Sequence, residues 1–412
     1  MIKEENKIEI KAADKILKLP KYIFAQLDDW KEEAREKGMD LIDLGIGNPD
    51  GATPLPIVEA AMKSIQDPKS HGYPSFRGKL EFRESIAKWM KKRYNIDVEP
   101  KTQIQTLIGA KEGLANVALA FTNPGDINIV PDPYYPVLSR GTLIASGEVY
   151  HVPLLDENDY LPDLDTIPEE VAKRAKLFFI NYPNNPTAAI APIEFLEKIV
   201  DYCRKYSILL VSDLAYGETV YDGYRPHSIF EVEGAWDIAV EFHSFSKTFN
   251  MAGWRVGFVV GKKEFIDIIY AMKSNLDYGT SSIVQDAAIK ALNMDYYHVQ
   301  KIMDKYDSRR ETIAKGMNKL GWHMKRTPAT MYFWLKVPKG YTSMEFCKMV
   351  LDKTGVVLTP GIAFGDMSDD HFRLSIVQPT AKLEEALKRL EKAGIRYEEK
   401  SKWVISFTSS HK

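Results

Sequence analysis

The chain predicts an α/β fold with a mainly parallel central sheet, helices on both of its faces, and a smaller α+β unit after it. Three observations carry this. Between about residues 105 and 290, short β-rich runs alternate with longer amphipathic stretches, the signature of strand–helix–strand units. Beyond about residue 320 strands and helices come in mixed order. At 412 residues the chain is long enough to split its core, and the expected division is 1–48 (an N-terminal segment packing with the smaller unit), 49–298 and 299–412.

Taken in order, "YIFAQLDDWKEEAREKG" reads as an N-terminal helix that joins the smaller unit. Candidate strands lie at 104–109, 127–132, 176–181, 208–213, 239–244 and 255–261. Between them, "IEFLEKIVDYCRKY" puts Phe195, Leu196, Ile199, Val200 and Cys203 on one helical face. A long helical stretch is expected from about 282 to 320, ending near Gly321. "TMYFWLKV" then reads as a strand, "SMEFCKMVLDKTG" as a helix with a glycine stop, "GVVLTP" and "HFRLSIV" as strands, and "LEEALKRLEKAG" as a helix. The tail "SKWVISFTSSHK" fits a terminal strand or a loose end equally well.

Composition narrows the partners. Lys plus Arg (55) nearly balances Asp plus Glu (57), so nothing favours nucleic acid or an anionic membrane, and a small molecule is the expected ligand. No apolar run is long enough to cross a bilayer, and the charged start "MIKEENKIEIKAADKILKLP" lacks the apolar core of a secretory signal, which fits a cytoplasmic protein. Cys203 and Cys347 lie far apart in helix-like segments and support neither a disulfide framework nor a zinc site. The histidines form no metal-binding pattern, so no metal is expected.

Ligands of open α/β sheets bind beyond the carboxyl ends of the strands, so the residues just past each strand matter most. Gly109 and Ala110 open a helix whose free N–H groups suit a phosphate, with Lys111 beside them. Tyr135 in "PDPYYP" can lie flat on a ring; Asn185 sits in the turn "NYPNNPT"; Asp213 ends its strand with Tyr216 one helical turn on. "SFSKTFNMAGWR" adds Ser244, Ser246, Lys247 and Arg255. Pyridoxal 5'-phosphate needs these types together: an amine for its aldehyde, a carboxylate for its pyridine nitrogen, a cation and donors for its phosphate, and donors for its ring oxygen. Lys247 and Asp213 fill the first two places; Arg255, Ser244 and the Gly109–Ala110 backbone the third; Asn185 and Tyr216 the fourth. Each alone has an ordinary alternative, such as a solvated lysine or a helix-capping aspartate. Their shared edge favours the cofactor.

The segments "NNPT", "SDLAY", "SFSKTFNMAGWRVGF" and "FRLSIV", in this order and spacing, closely resemble the class I/II aminotransferases of the pyridoxal-phosphate fold type I over nearly the whole chain. "GNPDGATP", "HGYPSFRG", "AKEGLANVAL", "LDYGT" and "PGIAFGD" look most like the bacterial glutamate–pyruvate (alanine) aminotransferases and somewhat less like the LL-diaminopimelate aminotransferases. The resemblance implies a ping-pong transfer between an L-amino acid and a 2-oxo acid. Alanine with 2-oxoglutarate is the expected pair; LL-diaminopimelate or aspartate transfer is the alternative, and a pyridoxal-phosphate-dependent lyase a more distant one. It further implies that Lys247 bonds the cofactor and moves the proton, that Arg373 grips the substrate α-carboxylate, and that Tyr135 stacks on the ring. Gly47 would approach the substrate carboxylate through its backbone, Tyr22 would line the mouth, and Tyr73 would reach the phosphate of a second subunit, making the active unit a homodimer. Two departures stand out. Ala188 occupies a turn position where the family usually has glycine, and "IIYAMKSNLDYGT" lacks the arginine that some aspartate aminotransferases use on a distal carboxylate, leaving Lys111 as the nearest substitute.

Overall fold

The computed structural model describes residues 10–20 and 22–397, so the tail "SKWVISFTSSHK" lies outside the described residues. Its strands are β1 (Ile42–Asp43), β2 (Ile104–Leu107), β3 (Ile127–Asp132), β4 (Glu148–Pro153), β5 (Ala175–Asn181), β6 (Leu209–Asp213), β7 (Ala239–Ser244), β8 (Gly257–Gly261), β9 (Tyr332–Lys336), β10 (Val356–Val357), β11 (Thr359–Pro360) and β12 (His371–Ser375).

β2 to β8 form a seven-stranded sheet in the order β2-β8-β7-β6-β5-β3-β4. β3 to β7 pair in parallel, while β8 runs antiparallel to both β2 and β7. Both faces are buried, as a mainly parallel sheet requires. Leu177, Phe179, Val211 and Phe242 point into one cluster, and Phe178, Ile180, Leu210 and Phe258 into the other. Helix Ile193–Tyr206 buries the five residues expected from its sequence.

β9, β11 and β12 make a three-stranded antiparallel sheet. On and just beyond helix Ile23–Glu36, Trp30, Ala34, Met39 and Leu41 pack with Leu351 and Val357, and β1 pairs in parallel with β10.

One expectation needs correction, and one strand was not anticipated. The long helix breaks into Ser282–Asn293 and Tyr297–Lys319, because Met294 is extended and the Asp295 carboxylate accepts from the Tyr297 N–H at 2.8 Å, starting a new helix. The sheet-edge strand β4, "EVYHVP", carried too little apolar alternation to be recognised. Ala188, in place of the family's usual glycine, adopts a left-handed φ of 63° in a buried turn, a conformation that costs an ordinary residue about 1 kcal/mol.

Candidate active site

The carboxyl ends of β5, β6 and β7 and the N-terminus of helix Ala110–Phe121 open on a cavity of about 290 Å³. Strand termination places its polar groups. β6 ends at Asp213, and β7 ends at Ser244, whose hydroxyl caps the single turn Phe245–Thr248 and so fixes Lys247 three residues on. Asn181 at the end of β5 ties two loops together: its amide donates to the Asp213 carbonyl at 2.9 Å and accepts from the Asn185 N–H at 2.9 Å.

Tyr22, Gly47, Ala110, Lys111, Tyr135, Asn185, Asp213, Tyr216, Ser244, Ser246, Lys247, Arg255 and Arg373 all line this cavity. Gly109 sits just outside it, with φ 85°, and a Cβ there would lie 2.6 Å from the Arg255 guanidinium. Tyr73 does not join them. It is 83% exposed and stacks on Tyr278 with ring centroids 4.4 Å apart. Arg255 is exposed at the cavity's rim, donating to the carbonyls of Ala252 (2.9 Å) and Ile108 (3.4 Å).

Asp213 tests the fit of pyridoxal phosphate. It is buried, makes no ion pair among the described residues, and its carboxylate accepts only the Ala215 N–H, at 3.1 Å. Burial therefore pushes its carboxyl up to about 7. A buried acid that lines the cavity and is paired with no cation among the described residues fits a cationic ring nitrogen. Lys247 donates to the Gly47 carbonyl, and burial, followed by the charges of Arg373 and Arg255, lowers its proton affinity. Arg373 donates to the Asn185 Oδ1 at 2.8 Å and the Gly45 carbonyl at 2.7 Å, while its buried Nε has no partner. Two of its five N–H groups are thus spent, and the fork can still hold a carboxylate.

Sequence reasoning missed Asn181 and Tyr332. The second had a signal: a tyrosine in a predicted strand beside the arginine-bearing strand. β9 pairs with β12 so that Trp334 faces Arg373, and the Arg373 guanidinium lies 4.1 Å from the Tyr332 ring centre.

A family model described as Aminotransferase class I and II matches residues 39–390. The chain is 49% identical over 379 residues to an LL-diaminopimelate aminotransferase of Aquifex aeolicus, covering 92% of this chain and 98% of that one. It is 46% identical over 386 residues to LL-diaminopimelate aminotransferase 2 of a Nostoc species, covering 93% and 99%. Among solved structures, substrate-bound BacF of Bacillus subtilis superposes with a TM-score of 0.91 at 36% identity, covering 95% of this chain and 99% of that one.

Proposed function

The chain belongs to the class I and II aminotransferases, transferases that work with pyridoxal 5'-phosphate, and we propose that it moves an amino group between LL-diaminopimelate and a 2-oxo acid. The relatives at 43–49% identity carry this alternative in place of the alanine reading. The observation that supports it in the site is the Lys111 ammonium at the mouth, 5.9 Å from the Tyr22 ring centre. LL-diaminopimelate and 2-oxoglutarate each carry a distal carboxylate for such a cation, and alanine has none, so the choice between the two amino donors rests on the relatives.

Bound pyridoxal phosphate supplies a carbonyl that an amine can attack and a cationic ring that draws electrons from the substrate α-carbon. In this proposal the chain's own groups do the rest. Burial lowers the proton affinity of Lys247 and so favours the neutral amine, the form that can bond a carbonyl or accept the α-proton. Asp213 holds the ring nitrogen's charge, which the dry site strengthens. Tyr216 and the Asn185 amide donate to the ring oxygen, and Tyr135 covers the ring. Arg255, Ser244, Ser246 and the free N–H groups of Gly109 and Ala110 take the phosphate. Arg373 and the Gly47 backbone fix the α-carboxylate, aiming the α-proton at Lys247.

The proposal includes a cytoplasmic homodimer, with the chain divided at 48 and 298. Tyr73 and the Tyr278 ring it stacks on are both exposed, as are Leu55, Met62 and Ile65 on helix Leu55–Ile65 and Leu276, apolar surface that suits a second copy of the chain. The test is kcat/KM for LL-diaminopimelate against alanine with 2-oxoglutarate as acceptor. A larger value for LL-diaminopimelate is expected; a larger one for alanine would restore the alanine reading.

A further inference from the structure

Tyr332 holds neither cofactor nor substrate in the proposed function, yet it stands at the centre of the cavity wall. It rises from β9 in the three-stranded sheet, is 2% exposed, and brings its hydroxyl to 2.9 Å from that of Tyr216, which lies just past β6 of the seven-stranded sheet. The two rings meet nearly edge to face, 5.7 Å apart. The hydroxyl also fills the space a side chain at Gly47 would need, and the Gly47 carbonyl is the acceptor for the Lys247 amine. One phenol thus touches Tyr216 and the residue that aims Lys247.

A phenol has one proton to donate. If Tyr216 donates to Tyr332, that proton is lost to any ligand in the cavity; if Tyr332 donates to Tyr216, the Tyr216 proton is turned toward it. In the proposed function the single Tyr216 proton goes to the cofactor's ring oxygen, so Tyr332 is the donor in the 2.9 Å contact between the two hydroxyls.

We propose that Tyr332 is a positioning residue for amino transfer, donating to the Tyr216 oxygen and thereby directing the Tyr216 proton to the cofactor's ring oxygen. This rests on the proposed placement of Tyr216 against that oxygen. Donation to the oxygen favours its ionised form, so losing Tyr332's contribution must make it easier to protonate.

The experiment is a pH titration of the visible absorbance of the cofactor-loaded protein. Tyr332→Phe keeps the ring under Arg373 and is expected to raise the midpoint by ~0.5 unit or more, about threefold in proton affinity, and to lower kcat more than it changes KM. In a Tyr216→Phe background the same change is expected to add no further shift, because it acts through Tyr216. Replacing Tyr332 by 3-fluorotyrosine, a stronger donor of nearly the same shape, is expected to lower the midpoint. A midpoint indifferent to both replacements, or an equal shift with and without the Tyr216 hydroxyl, would overturn the proposal. A wild-type protein whose visible band does not form would overturn the cofactor placement itself, and the proposal with it.

Discussion

Arg373 donates to the Asn185 side-chain oxygen at 2.8 Å, joining β12 of the three-stranded sheet to the turn after β5 of the seven-stranded sheet across 188 residues of chain. The bond does two things. It consumes the acceptor end of the amide, leaving the NH₂ as the end able to serve the cavity, and it sets the tilt of the guanidinium, whose Nε stays unpaired and buried.

Arg373→Lys keeps the charge and loses the fork. Breaking a buried, hydrogen-bonded charge contact costs ~2–5 kcal/mol, so kcat/KM is expected to fall at least thirtyfold for every amino acid tested, chiefly through KM. A loss limited to one substrate would place Arg373 elsewhere than on the shared α-carboxylate.

Lys247→Ala removes the amine proposed both to bond the cofactor and to move the proton. The proton work alone is worth ~10²–10⁴-fold in rate, and kcat is expected to fall by at least that much. Reduction with borohydride should cross-link cofactor to the parent protein and not to the variant. Multiple turnovers near the parent rate would remove Lys247 from the mechanism.

The pH dependence of stability reports on Asp213. Its carboxyl is pushed up to about 7 from an ordinary 3.8, so between these values the folded, cofactor-free protein keeps a proton that the unfolded chain has released. Its contribution to stability is therefore full below about 4 and lost as pH rises to about 7. Burial likewise pushes Asp132 up to about 6, adding a slope of the same sign. Asp213→Asn is expected to remove its share of that slope and to lower kcat roughly a hundredfold or more. Thermal unfolding of the cofactor-free proteins across this window checks it. Equal slopes in parent and variant would mean that Asp213 holds no such proton.

Lys111→Ala deletes the cation proposed for the distal carboxylate. The ratio of kcat/KM for LL-diaminopimelate to that for alanine is expected to drop up to about fivefold, since an ion pair at an exposed cavity mouth is worth up to ~1 kcal/mol. A ratio that does not move would assign the distal end to other groups.

Much of this site was legible because its residues stand just past strand ends, and strand ends can be read from local pattern. Asp213, Ser244 and Lys247 stand where β6 and β7 stop. Asn181 escaped because its work is done by bonds to backbone atoms of Asp213 and Asn185, which no spacing announces. Tyr332 escaped for a different reason: a strand pattern tells which faces alternate, not how far a side chain on one sheet reaches into another. The break in the helix at 294–296 turns on one carboxylate accepting one N–H, a contact that leaves the helical apolar rhythm on either side intact.

Amino transfer at this site, and its substrate, can be tested together by mixing the cofactor-loaded protein separately with LL-diaminopimelate, glutamate, aspartate and alanine, observing its visible absorbance through a single turnover, then adding 2-oxoglutarate. LL-diaminopimelate and glutamate are expected to bleach the band quickly, and 2-oxoglutarate to restore it. Rapid bleaching by alanine with none by LL-diaminopimelate would contradict the proposed substrate, and a band that no amino acid bleaches would contradict amino transfer at this site.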